Sequence, residues 1–341
     1  MEKQGNNQQE TRRIVSVFFL TELLLIKHFY LIMKQNNYCG SSETLRKTPR
    51  FNFDDFYKYG HPDHVPRIDE AFLEWFIGFF EGDGCFSIDE RNRRLYLTIG
   101  QKEKKIVFQI FETFGIGSIS SWSNNGKTYW QWRVSSKSGL ERLALLFFNN
   151  LVLSKRQTQF LDWLKKGKQI GLFSGCLIFH RDSPKIGLND AWLSGFIDAE
   201  GCFYAHVSIQ NKQTKNPKVK FYQTFSLKQT TVDLNDQNLF KKILFLFQSS
   251  SNVFYSKLSS KKPYLSIQLA SKKSHEILIQ YLFHYKLKTM KFISFRRWWR
   301  IYLLKTKNKE KFLDENLSKK SLKKLKRLTQ SINEHSTKSY L

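Results

Sequence analysis

Apolar positions in this chain follow two rhythms, one helical and one alternating, and the same succession of rhythms occurs twice. Phe72, Leu73, Trp75, Phe76, Phe79 and Phe80 surround one segment nearly all round, which predicts a helix buried on every side. Strand-like runs follow at 85–89 and 95–101, then a helical stretch at 104–114. Further runs at 118–123 and 129–135 flank an Asn124-Asn125-Gly126 hairpin signal, and helices are expected at 139–149 and 156–164. From residue 192 the order repeats: strands at 202–210 and 221–229, a helix at 239–247, strands at 253–258 and 264–270, and helices at 273–283 and 290–304. One interval differs. Asp83 and Gln101 are 18 residues apart and their counterparts Glu200 and Gln229 are 29 apart, which predicts a longer, lysine-rich hairpin tip across 211–220.

The two buried helices are nearly the same text. Trp75-Phe-Ile-Gly-Phe-Phe-Glu-Gly-Asp-Gly-Cys-Phe86 is echoed 117 residues later by Trp192-Leu-Ser-Gly-Phe-Ile-Asp-Ala-Glu-Gly-Cys-Phe203. A repeat of that length predicts two similar half-domains. Asp69 and Asn189 are the expected N-caps, and Gly84 and Gly201 the expected left-handed ends. Gly78 and Gly82, like Gly195 and Ala199, share one helix face, so the two backbones are expected to approach closely and pack on each other.

Asp83 and Glu200 then occupy the last helical positions. A carboxylate at a helix C-terminus is unfavourable by roughly 0.3–1 kcal/mol. If the helices run parallel, the two also converge and repel. A divalent cation removes both penalties, so the pair is read as a metal site. Glu81 and Asp198, two positions earlier, point elsewhere and are expected to satisfy groups of the neighbouring half.

These segments resemble the LAGLIDADG homing endonucleases, with the motif at 76–84 and again at 193–201, and the likeness runs from about residue 69 to 300. The resemblance implies an α+β fold of two pseudo-symmetric αββαββα halves, with antiparallel saddle sheets and a central two-helix interface. It implies residues 66–170 and 188–304 as the halves, with 171–187 as a linker; residues 1–65 lie outside it and are expected to be an extension read in from upstream, and 305–341 a lysine-rich tail. The activity implied is metal-dependent cleavage of double-stranded DNA, by a monomer, at a long pseudo-palindromic site, leaving 3′ overhangs. Mg²⁺, with Mn²⁺ as a substitute, is the implied cofactor on Asp83 and Glu200. Gln101 and Gln229, Lys105, and the pair Arg156 and Lys291 match further positions of the family's active site; Lys155 is the alternative to Arg156. Asp233 stands where the second half would repeat Lys105.

DNA readout is expected from alternate strand side chains: Ser87, Asp89, Arg91, Arg94, Tyr96, Thr98, Trp130, Gln131 and Arg133 in the first half. In the second these are His206, Ser208, Gln210, Lys220, Tyr222, Gln223, Thr224, Gln268 and the loop lysines. Arg with guanine and Gln with adenine are the pairings that base-edge geometry favours.

Composition agrees. A net charge of +27 on 341 residues suits a polyanionic partner and no small-molecule enzyme needs it. Abundant Lys, Asn, Phe, Ile and Tyr suggest an AT-rich genome, hence an organellar gene, mitochondrial ahead of chloroplast. The four cysteines form no CxxC pair, and Cys85 and Cys202 read as small buried residues at strand starts. The apolar run at 14–33 contains Glu22, Lys27 and His28, which argues against a membrane span. Because some members of the family are maturases, a group I intron RNA is the alternative partner.

Overall fold

The computed structural model describes residues 50–59, 65–173, 184–210, 218–231, 235–256, 263–307 and 319–333; of residues 209, 210, 218–220, 307, 319–322, 324 and 325 it describes the backbone alone. The first half runs α1 (Asp54–Lys58), α2 (Glu70–Asp83), β1 (Gly84–Asp89), β2 (Arg94–Gln101), α3 (Lys104–Phe114), β3 (Ser118–Asn124), β4 (Lys127–Val134), α4 (Lys137–Phe147) and α5 (Ser154–Gln169). The second runs α6 (Trp192–Glu200), β5 (Gly201–Gln210), β6 (Lys218–Thr230), α7 (Asp236–Leu246), β7 (Phe254–Tyr255), β8 (Tyr264–Leu269), α8 (Lys272–His284) and α9 (Lys291–Lys307), and α10 (Lys319–Gln330) follows. Both sheets are antiparallel, ordered β1-β2-β4-β3 and β5-β6-β8-β7. This is the expected α+β pair of αββαββα halves; the first adds α1 before it and α5 after it, and the second adds α9.

Alternation along the strands separates two faces. Leu95, Leu97, Ile99, Trp132 and Val134 point into the first core, against Phe76, Phe114 and Phe147. Phe203, Phe225, Leu227, Leu265 and Ile267 do the same in the second, against Phe295 and Trp298. Among the described residues the opposite face of each sheet carries mostly polar side chains. At the β3–β4 turn, Asn125 and Gly126 both take positive φ (51° and 69°), the two-residue hairpin the sequence predicts. That turn pairs Trp122 with Tyr129 across the open face, where their rings stack 5.4 Å apart.

Helices α2 and α6 form the seam. A Cβ added at Gly78 would lie 2.0 Å from the Trp192 carbonyl oxygen, one at Gly195 1.8 Å from the Trp75 carbonyl oxygen, and one at Gly82 2.2 Å from the Ala199 Cβ. Residue numbers rise together along these contacts, so the helices are parallel and their C-termini meet. Glu81 and Asp198 tie the seam as expected. Trp192 Nε1 donates to Glu81 Oε2 (2.5 Å) and Trp75 Nε1 to Asp198 Oδ2 (2.8 Å), each reaching into the other half. The same carboxylates accept the amides of Val152 and Leu153, and of Lys288 and Thr289, ahead of α5 and α9.

Several expectations need correction. Gly84 and Gly201 are not left-handed: φ is −80° and −75°, and each opens a strand. A Cβ at Gly84 would strike the Phe80 ring at 2.2 Å, so close packing rather than backbone chirality selects glycine there. Helix α6 starts after Ala191, not Asn189; Asp190 accepts the Trp192 amide and Glu74, from the first half, accepts that of Ala191. Asp69 precedes α2 without a side-chain cap. Cys85 and Cys202 are exposed, because their strand parity puts them on the open faces. Residues 50–59 belong to the first half: Phe53 and Phe56 are buried in its core, and Asn150 both donates to and accepts from the Asn52 backbone. The longer interval of the second half is partly strand, since β5 and β6 pair out to Gln210 and Lys218; the tip at 211–217 lies outside the described residues. So do 1–49 of the extension and 174–183 of the linker. Among the described residues no helix is long and apolar enough to cross a membrane.

Candidate active site

The ends of α2 and α6 deliver Asp83 and Glu200 to one place. The Glu200 Cγ lies 3.2 Å from where a Cβ on Gly82 would stand, beside Asp83. Both carboxyls titrate high. Burial pushes Glu200 up to about 7, with the Asp83 charge adding to the rise. Burial also raises Asp83, against the lowering effect of its Gln101 bond and of Lys291 and Arg156. Asp83 reaches solvent on its open side while protein crowds the others, so accessibility and poor solvation coexist.

Around the pair stand three cations, and the repeat places two of them equivalently. Arg156, at the start of α5, donates from Nε to the Glu81 carbonyl (2.7 Å) and from Nη2 to the Gly82 carbonyl (2.9 Å). Lys291, at the start of α9, donates from Nζ to the Ala199 carbonyl (2.6 Å) and the Ile197 carbonyl (3.3 Å). Each therefore covers the carbonyl end of its own motif helix, where a cation is electrostatically favoured. These bonds make the two side chains positioning groups whose charge also reaches the carboxylates. Burial lowers the pKa of both. The third, Lys155, donates to the Thr230 carbonyl (2.9 Å) and its charge is felt at Glu200.

The glutamines break the symmetry. Gln101 Nε2 donates to Asp83 Oδ2 at 2.7 Å. Gln229 takes the equivalent strand position but is buried, and its Oε1 has no hydrogen-bond partner. Lys105 is exposed in the first turn of α3, where its charge acts on Glu103; the structure does not bring it among the cations that act on Asp83 and Glu200. Asp233 lies outside the described residues.

The donor set fits a hard divalent cation. Two converging, poorly solvated carboxylates offer oxygen alone, and the orphaned Gln229 amide oxygen stands at the strand position equivalent to Gln101, which bonds Asp83. Among the described residues no group of three or more His, Cys, Asp or Glu is arranged to hold a metal ion, so such an ion would complete its shell from water and phosphate, as Mg²⁺ ordinarily does.

The open faces flank this centre. Ser87, Asp89, Arg94, Tyr96, Thr98, Gln131 and Arg133 share the open face of the first sheet, with Arg133 4.8 Å over the Tyr96 ring; Arg91 is exposed in the β1–β2 turn. His206, Ser208, Tyr222, Thr224 and Gln268 share that of the second. Gln210 and Lys220 hold strand positions of the same parity, their side chains outside the description. Two expected readers face inward instead. Trp130 packs on Phe108, and Gln223 Nε2 donates to the Trp298 carbonyl. Neighbours on a strand cannot share a face, so Gln131 excludes Trp130, and Tyr222 and Thr224 exclude Gln223. The sequence reading missed Trp122 and Tyr129, although the hairpin signal fixes their pairing, and missed Tyr204, two residues after Cys202.

A family model described as LAGLIDADG endonuclease matches residues 76–166 and 193–302. The chain belongs to the LAGLIDADG endonuclease family. Both matches begin within a seam helix and run through the sheet that follows. A relative named "Probable intron-encoded endonuclease 4", from Neurospora crassa, is 31% identical over 235 residues, covering 68% of this chain and 40% of the relative. "Intron-encoded RNA maturase bI4" of Saccharomyces cerevisiae is 26% identical over 260 residues, 73% of this chain and 36% of the relative. The chain thus spans under half the length of these two relatives. The meganuclease I-SmaMI, solved bound to uncleaveable DNA, shares the fold with a TM-score of 0.59 at 17% identity, over 78% of this chain and 99% of that one.

Proposed function

We propose that this chain is a metal-dependent, site-specific endonuclease that cuts double-stranded DNA at a long pseudo-palindromic site and leaves 3′ overhangs. The observation that carries the reading is the convergence of Asp83 and Glu200, one from each half, between two sheets with polar open faces. Asp83 and Glu200 would hold Mg²⁺, or Mn²⁺ in its place, and the ion supplies an acidified water and neutralises charge on the phosphate. Gln101 fixes the Asp83 carboxylate in one orientation. Arg156 and Lys291 anchor the ends of the motif helices, which keeps both carboxylates at the floor between the sheets. The two open faces lie over the DNA, their cations and amides meeting phosphates and base edges. The intron-encoded relatives and the residue bias support an organellar, intronic gene, mitochondrial ahead of chloroplast.

Selection of cleaved sequences from a randomised DNA library with Mg²⁺ would yield the target. On that target, Asp83→Asn and Glu200→Gln should each abolish double-strand cleavage while gel-shift affinity stays within a few-fold of wild type. Wild-type rates in both variants, or full cleavage in a chelator, would overturn the reading. The maturase relative favours one second reading, an intron RNA as partner. Tighter binding to a folded group I intron than to any duplex would move the assignment there.

A further inference from the structure

Helix α10 is not part of either repeat, and the first half has no described counterpart to it. Its twelve residues hold six Lys or Arg and no acidic residue. Leu322, Leu325 and Leu328 recur at helical spacing and lead to Ile332, which is buried in the common core. Two polar bonds fix the segment after it: Arg297 Nη1 donates to the Ser331 carbonyl, and Asn333 Nδ2 donates to the carbonyl of Phe203 (3.0 Å). Phe203 lies on β5, the edge strand of the second sheet. Thr329, Gln330 and Asn333 line one groove with Tyr204 and His206, both of which belong to the open face. The end of α10 therefore borders the surface assigned to DNA, while Lys323, Lys326 and Arg327 remain exposed.

We propose that α10 is a phosphate clamp beside the second half, gripping duplex DNA alongside the open face of the β5 edge. The proposal rests on the DNA reading above. The argument is placement plus charge. A helix meant only to cover an edge strand needs Leu328, Ile332 and Asn333; it does not need six positive charges that repel one another within twelve residues. A duplex lying on the second sheet would bring its backbone to that edge, where such charges displace counterions. Among the described residues the first half places no comparable helix at β1, so the grip assigned here belongs to the second half.

The test is a salt series of binding to a random-sequence duplex. Wild type is compared with Lys323→Gln/Lys326→Gln/Arg327→Gln and with a control, Lys58→Gln/Lys272→Gln/Lys273→Gln, on exposed positions of α1 and α8. Each phosphate contact removed lowers the slope of log K against log salt by about 0.9. The clamp variant should lose about 2–3 in slope and bind at least ten-fold more weakly at low salt, with an unchanged melting temperature, while the control keeps the wild-type slope. A photoreactive benzoylphenylalanine at position 326 should crosslink to the duplex. Equal slopes in clamp variant and wild type, an equal loss in the control, or no crosslink would overturn the clamp and leave the endonuclease reading standing. A flat salt dependence in wild type would instead sink the DNA reading itself. If the clamp variant lost affinity for a folded intron RNA and kept it for the duplex, the helix would serve RNA and the proposal would fall.

Discussion

Gln101 and Gln229 occupy one position of the repeat and meet different fates. The first orients a carboxylate; the second leaves a buried amide oxygen without a partner. An unsatisfied buried polar atom costs about 1–3 kcal/mol. Gln229→Leu is therefore expected to raise the stability of the metal-free protein by about 1 kcal/mol, read in urea melts, and at the same time to slow cleavage. A destabilised variant would mean the oxygen is satisfied in solution, and undiminished cleavage would remove Gln229 from the site. Glu74 gives a second expectation, away from the chemistry. Burial raises its carboxyl to about 7, outweighing the lowering effect of the Ala191 amide it accepts, and Asp190 adds to the rise. Its folded-state pKa lies above the unfolded value, so the folded protein keeps a proton that the unfolded chain has shed. Stability should fall as pH rises from about 4.5 to 7. Glu81, Asp190 and Glu200 are raised into the same range, so Glu74→Gln, which can still accept the amide, should lessen the slope of that part of the melting-temperature profile and melt higher at pH 8; an unchanged profile would count against it.

At the scale of elements, the seam carries the architecture. Gly78→Ala forces a Cβ to within 2.0 Å of the Trp192 carbonyl, and backbone cannot step aside as a side-chain tip can. The expected loss is about 3 kcal/mol, seen as a melting temperature lower by roughly 5–10 °C; a change under 2 °C would show that the helices can separate freely. Most elements were legible because their signals are local. The twin motif gave the seam, the Asn125-Gly126 turn gave a register, and alternation gave the strands. What was not legible depended on partners distant in sequence. Arg156 and Lys291 cover carbonyls more than 70 residues away, so their role as helix-end cations has no local signature. Trp130 and Gln223 looked available because composition was read without parity. Cys85 and Cys202 looked buried because small residues near a core usually are, whereas strand direction decides. Residues 50–59 join the first half through Phe53, Phe56 and Asn52, and the motif repeat says nothing of them.

For the whole molecule, the ties between halves bear on how many copies act on one site. The seam is filled from within one chain: Trp192 reaches Glu81, Trp75 reaches Asp198, and Glu74 holds the Ala191 amide. Further ties run outside the seam, with Ser154 donating to Asp236 (2.9 Å) and Met290 to Glu103 (2.8 Å), each from the start of one half's last helix to a carboxylate of the other. These pairs follow the repeat, so one chain already possesses the two-fold relation that a duplex target presents. A second copy has no vacant motif helix to engage. The protein should therefore bind its duplex as one chain per DNA molecule, giving by sedimentation equilibrium a complex of about 40.6 kDa plus one duplex. Cleavage rate at limiting DNA should rise with protein concentration to first order. A complex containing two chains, or a second-order rise, would mean that the seam does not close within the chain, and the assignment of Asp83 and Glu200 to one composite site would fail with it.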